Sequence, residues 1–139
     1  CVSVGVDVVS GADAPPVHDR VRSAIRTFLS PLEGGFEEEG WPLGRAVQTR
    51  ELLTVAARVS GVASIDQIQL AGPSGSRVDQ VPMSGVQLPR LTELAVRSGT
   101  AKPLGEFCAQ SRPEAPSDGA GEGEAEDTFF PIPVVPEEC

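Results

Sequence analysis

Pro31 ends an amphipathic helical run and opens a loop in which the only tryptophan of the chain stands between a glycine and a proline; no other feature constrains the fold as much. The run before it places Val17, Val21, Ala24, Ile25, Phe28 and Leu29 on one stripe, with Asp19, Arg20, Arg22, Ser23 and Arg26 between them, the pattern of a helix with one buried face over residues 16–29. Asp13 is a candidate cap, and the prolines at 15 and 16 suit a first turn, where the missing N–H has no partner to lose. A proline cannot continue the helix and biases Ser30 toward an extended backbone. Beyond it come Gly34-Gly35, the acidic run Glu37-Glu38-Glu39, and Gly40-Trp41-Pro42-Leu43-Gly44-Arg45. A second helix is expected over residues 50–60, with Thr49 as its cap, Glu51 near the positive end of its dipole, Leu52, Val55, Ala56 and Val59 on its apolar face, and Gly61 as a left-handed stop. The loop residues singled out as structural are Pro31, Gly40, Trp41, Pro42, Gly44 and Arg45. Trp41 is expected to cover the ends of both helices with its N–H on a carbonyl, in preference to protruding as an interface anchor, and Arg45 to make a salt bridge or bind a carbonyl.

Val2, Val4, Val6 and Val8 alternate with Ser3, Gly5 and Asp7, the period of a strand with one buried face. Residues 65–70 read as a strand with Ile68 and Leu70 inward, residues 72–76 as a turn, residues 78–83 as an antiparallel return beside that strand, and residues 91–97 as a closing extended run. The order strand, helix, helix, three strands has no β-α-β alternation. The expected class is α+β: a small, mostly antiparallel sheet with two amphipathic helices on one face, followed by an extended C-terminal arm. Residues 1–105 would form the domain and residues 106–139 an acidic tether.

Charge divides the chain at the same place. Of the net −9, residues 106–139 hold −8, with nine acids against Arg112 alone, and the remainder is nearly neutral, with eleven acids and ten bases. Phosphates would be repelled by that tail, and no Lys/Arg run offers them a patch, so nucleic acid is not an expected partner. No apolar run approaches the roughly 20 residues that cross a bilayer, and no signal-peptide pattern is visible, so membrane insertion is not expected either. Because the chain opens on Cys1 with a strand at once, a piece of a longer polypeptide is expected. The three cysteines, at 1, 108 and 139, have no metal-binding spacing and read as free thiols in a reducing compartment.

Chemistry has little to work with. The single imidazole, His18, lies in the first turn of a helix and reads as solvated; Glu37-Glu38-Glu39 lacks the further spaced ligands a hard cation needs. Neither Gly34-Gly35 nor Gly72-Pro73-Ser74-Gly75 is followed by the Lys-Ser/Thr of a phosphate-binding loop. No catalytic residue, metal, cofactor or small-molecule substrate is expected, and the chain is not read as an enzyme.

The tail carries a more pointed signal. Residues 111–128 are rich in Pro, Gly, Ala, Glu and Ser, too polar to offset their ordering entropy, and then comes Phe129-Phe130-Pro131-Ile132-Pro133-Val134-Val135-Pro136. Pre-set proline dihedrals lower the entropy lost on binding, and extended segments commonly lie in grooves or along sheet edges. Phe129, Phe130, Ile132, Val134 and Val135 are therefore expected to form a docking arm on a protein partner.

In this order and spacing, the Val-rich strand, the helix entered through Pro15-Pro16 and left through Leu29-Ser30-Pro31, Gly34-Gly35, Gly40-Trp41-Pro42-Leu43-Gly44-Arg45, the helix opening at Thr49-Arg50-Glu51-Leu52, the Gly61-Val62 exit, Ile68-Gln69-Leu70 and Leu88-Pro89-Arg90-Leu91-Thr92-Glu93-Leu94 resemble the C-terminal region of baseplate J-like proteins. These are wedge components of contractile phage tails and related injection machines. The resemblance covers about residues 2–96; the acidic tail departs from it. It implies a structural part of the baseplate wedge with no catalytic residues to transfer. The implied partners are a second copy, a related wedge protein, and hub, spike or sheath-proximal proteins, assembled in the cytoplasm of the producing cell into a phage-tail-like particle. The alternative is a small ligand-binding or adaptor α+β module of another assembly.

Overall fold

The computed structural model describes residues 1–108. Its centre is strand β1 (Val2–Val8), which lies inside a four-stranded sheet ordered Arg77–Val78 (β4), Val62–Ala71 (β3), β1, Leu94–Ser98 (β6). Strand β3 (Val62–Ala71) runs antiparallel to β1, with Val2 opposite Leu70 and Val4 opposite Ile68. Strand β6 (Leu94–Ser98) runs parallel to β1 on its other side, with Val4 opposite Val96. A parallel neighbour needs a long crossover connection, and the chain between β1 and β6 supplies one that contains both helices. The class is α+β as expected, the antiparallel pairs in the majority.

Helix α1 (Ala14–Phe28) buries Val17, Val21, Ile25 and Phe28. Asp13 occupies the capping position but its side chain makes no capping hydrogen bond; the prolines of the first turn remove the amides it would have satisfied. Helix α2 (Thr49–Ala57) buries Leu52 and Ala56 and stops three residues short of the expected Ser60. The reason lies in its last turn, where the amides of Arg58 and Val59 donate to Val55 and Ala56, three residues back, at 3.3 Å each. Gly61, at φ +96°, then reverses the chain so tightly that a Cβ there would sit 2.8 Å from Val17 Cγ2. Thr49 is not the cap either. It is the first residue of α2, and its amide and hydroxyl donate to the carbonyls of Asp79 (2.9 Å) and Val78 (3.4 Å), so a neighbouring strand holds the helix start.

That neighbour explains another departure. Only β4 (Arg77–Val78) returns beside β3; the chain then leaves the sheet, and β5 (Gln80–Val81) pairs with β2 (Val47–Gln48) in a separate two-stranded ribbon. The expected strand over residues 78–83 is split because its second half satisfies the backbone in front of α2.

Val2, Val4 and Val6 face the helices, in one core with Val21, Ile25, Phe28, Leu52, Ile68 and Val96. Ser3 and Gly5 face the other way and are buried as well. The backbone of residues 99–101 crosses over Gly5, where a Cβ would lie 2.1 Å from the Gly99 carbonyl oxygen. The turn of 3-10 helix at Leu104–Glu106 follows, and Leu104, Ala71 and Cys108 form a second small cluster. A strand read as half-buried is thus covered on both faces.

Candidate functional site

The loop between the helices is built from its carbonyls outward. With α1 ended, the amide of Gly35 donates to Phe28 O (2.9 Å), that of Gly34 to Ser30 O (2.9 Å), that of Gly40 to Gly34 O (3.1 Å) and that of Trp41 to Pro31 O (3.2 Å). Two glycines are demanded by these close approaches. A Cβ on Gly34 would meet Ser30 O at 2.2 Å, and one on Gly40, which sits at φ +102°, would meet Pro31 O at 2.6 Å.

The loop delivers Trp41 into the core, 3 % exposed, edge-on to Phe28 with ring centroids 5.4 Å apart. Its indole N–H donates to the Arg45 carbonyl at 3.0 Å, which satisfies the one polar group the ring buries. The Arg45 guanidinium lies 5.6 Å from the Trp41 ring and 5.7 Å from the Phe36 ring, and it pairs with Glu51 in the first turn of α2. Arg45 is roughly a third exposed, so solvent screens the pair. The six structural loop residues are therefore brought together as follows: Pro31 and Pro42 lend carbonyls to Trp41 and Arg45, Gly40 and Gly44 (φ +71°) turn the chain, Trp41 points inward, and Arg45 clamps the outside.

Because Trp41 points in, other apolar side chains point out. Leu32 is 83 % exposed, Leu43 62 % and Phe36 46 %. A groove of about 500 Å³ between the helices, lined in part by Phe28, Phe36, Val55 and Val59 with Arg20 and Arg58, adjoins this surface. At one end of the sheet lies a wider trough of about 1070 Å³, with Leu29, Val47, Leu70, Met83, Leu88 and Leu104 in its wall. Sequence reading missed the trough, since segments far apart in the chain build it, and it also missed Phe36 and Glu51 as the partners of Arg45. A lone cation beside a buried tryptophan was the available signal for an acid such as Glu51. The arm candidates Phe129, Phe130, Ile132, Val134 and Val135 lie outside the described residues.

Structure adds one polar pair that spacing could not reveal. His18 Nε2 and Ser98 Oγ are 3.2 Å apart. The pair is exposed, lines neither hollow, and no acid among the described residues bonds the other ring nitrogen, so it lacks the orienting third group and the enclosure of a nucleophile-and-base site. Among the described residues, no three His, Cys, Asp or Glu side chains converge as metal ligands, and no helix is long and apolar enough to cross a membrane. Burial pushes the Cys108 thiol above its ordinary value, which makes it a poor nucleophile at neutral pH. Comparison of the chain with protein-family models, with characterised proteins and with solved structures finds no match.

Proposed function

We propose that the chain is a structural assembly module, the end of a baseplate wedge subunit in a contractile, phage-tail-like injection machine. It works by subunit contact and performs no chemistry. The observation that supports this reading best is the loop: a hydrogen-bonded frame and a buried Trp41 anchor it to the body, and its residues Leu32, Phe36 and Leu43 are large, apolar and each exposed. Apolar side chains on an anchored loop suit a protein interface, because less conformational entropy is lost on docking. On this reading the partners are a second copy and a related wedge protein in the inner ring, with hub, spike or sheath-proximal proteins beyond. Neither nucleic acid, membrane insertion nor a small-molecule substrate has a part, and the particle is assembled in the cytoplasm of the producing cell. The arm at residues 129–135 contributes a further contact.

Leu32→Asp with Leu43→Asp tests the reading. Both side chains are exposed, so the doubly substituted chain should keep its melting temperature while its incorporation into purified particles falls at least tenfold. Unchanged incorporation would remove the loop from the interface. A second reading, an adaptor module of another assembly that binds a short apolar peptide, is favoured by the size of the trough; capture of such peptides by a chain absent from every particle would select it.

A further inference from the structure

The two edges of the four-stranded sheet are finished differently. At the β6 edge, the amide of Val2 donates to Glu93 O (2.9 Å) and that of Gly99 to Val6 O (3.2 Å). Alternate residues of β6 therefore serve β1, and Val96 turns its backbone groups outward. Arg22 Nη2 donates to the Val96 carbonyl at 3.2 Å, which blocks that edge at its middle. The β3 edge is open. Val2, Val4 and Val6 direct their backbone groups to β6, so Leu70, Ile68 and Ile65, opposite them in β3, point theirs away from the sheet. Val78 of β4 pairs with Leu70; among the described residues nothing pairs with the outward groups of Ile68 and Ile65.

Helix α2 lies over β3, and α1 over β6 and β1. Leu52 and Ala56 of α2 enter the core, while Val55, Arg58 and Val59 line the groove shared with α1. Leu53 and Ala57 therefore fall on the side away from α1, above the open edge of β3. They stand one turn apart and both are exposed, Leu53 by 42 %. We propose that this edge, with Leu53 and Ala57 above it, binds an extended segment of a partner protein as an added strand, a segment in which apolar and basic residues alternate. The outward N–H and C=O groups of Ile65 and Ile68 pair with the segment's backbone, the source of affinity in strand addition. Side chains of an added strand alternate between the two faces. The apolar set lies beneath Leu53 and Ala57, and the basic set reaches Asp66 and Asp7 on the other side. Asp66 is the exposed extra residue of the bulge between Ile65 and Gln67, and the exposed Asp7 carboxylate accepts from Ser64 Oγ at 2.9 Å. Neither has an ion pair among the described residues, so each offers a charge to a base. A second copy fits less well, because an antiparallel contact between two β3 edges brings the two Asp66 carboxylates together. The proposal does not rest on the baseplate reading, whose surface is the loop that carries Leu32 and Leu43.

The probe is the peptide Lys-Val-Lys-Val-Lys-Val-Lys, blocked at both ends and added at up to about 1 mM to the full-length chain with isotope-labelled amides. The expected result is a saturable shift and slowed hydrogen exchange at the amides of Ile65 and Ile68, with those of β6 unchanged. A fully N-methylated peptide keeps the charge and side chains but has no backbone donors, and it should bind at least tenfold more weakly. Leu53→Ser, at an exposed position, should keep the melting temperature and weaken binding of the unmodified peptide severalfold. Equal binding of the two peptides would overturn the proposal, since a chain of net charge −9 would then be attracting lysine without using the edge. Undiminished binding to the Leu53→Ser chain would overturn it too, as would unchanged Ile65 and Ile68 amides. Protection of those amides that rises with chain concentration alone would assign the edge to a second copy and overturn the partner strand. None of these outcomes bears on incorporation into particles, so the two readings fail separately.

Discussion

At the scale of single residues, Trp41 ties the loop to the core. Its burial between Phe28 and the Arg45 carbonyl means that truncation opens a cavity and strands a carbonyl at once. Trp41→Ala should cost about 3–5 kcal/mol in denaturant titration, the range for removing a core aromatic. A loss below about 1 kcal/mol would mean the ring contributes no core packing. The burial of this ring was legible from its place in a loop between two amphipathic helices, whose apolar ends an indole can cover. The cation beside the tryptophan called for an acid, but that Glu51 and Phe36 would be the ones to meet Arg45 depends on how the loop closes and where α2 begins. Cys108 gives a pH-dependent test. Burial raises its thiol above the ordinary 9.0, so the folded chain holds that proton more tightly than the unfolded chain. The associated stability is fully present below about pH 9 and is lost as pH rises beyond it, where the unfolded thiol ionises first. Cys108→Ala should flatten the decline in melting temperature on the alkaline side.

At the scale of elements, legibility followed the range of the interactions. The stripe of α1 and the alternation of β1 are periods within one segment, and both elements form where those periods place them. The start of α2 depends on Asp79 and Val78, thirty and twenty-nine residues onward, so a local rule named Thr49 as a cap when its hydroxyl in fact donates to a strand carbonyl. The same long-range pairing drew residues 80–81 out of the sheet, and the crossover of residues 99–101 covered a face of β1 that alternation marked as open. Two predictions belong here. Gly5→Ala should prevent native folding or cost several kcal/mol, because its Cβ would meet backbone at 2.1 Å on a central strand where neither partner can yield; an increase in stability would contradict the crossover. Arg45→Ala and Glu51→Ala, measured singly and together, should show a coupling of about 0.5–1 kcal/mol that shrinks with added salt, as a partly exposed ion pair requires.

For the whole molecule, the central claim is that an anchored loop on a small α+β body serves assembly. On this proposal the charge division visible in the composition has a use: the nearly neutral body would pack against neighbours, and the acidic segment would repel nucleic acid. Location tests the claim most directly. The full-length chain, carrying a small epitope tag and expressed in its producing cell, should co-purify with contractile particles, and gold-labelled antibody in electron micrographs should mark the baseplate end in an intact, uncontracted tail. Recovery of the tagged chain only in low-mass fractions of cells that are making such particles would contradict the account.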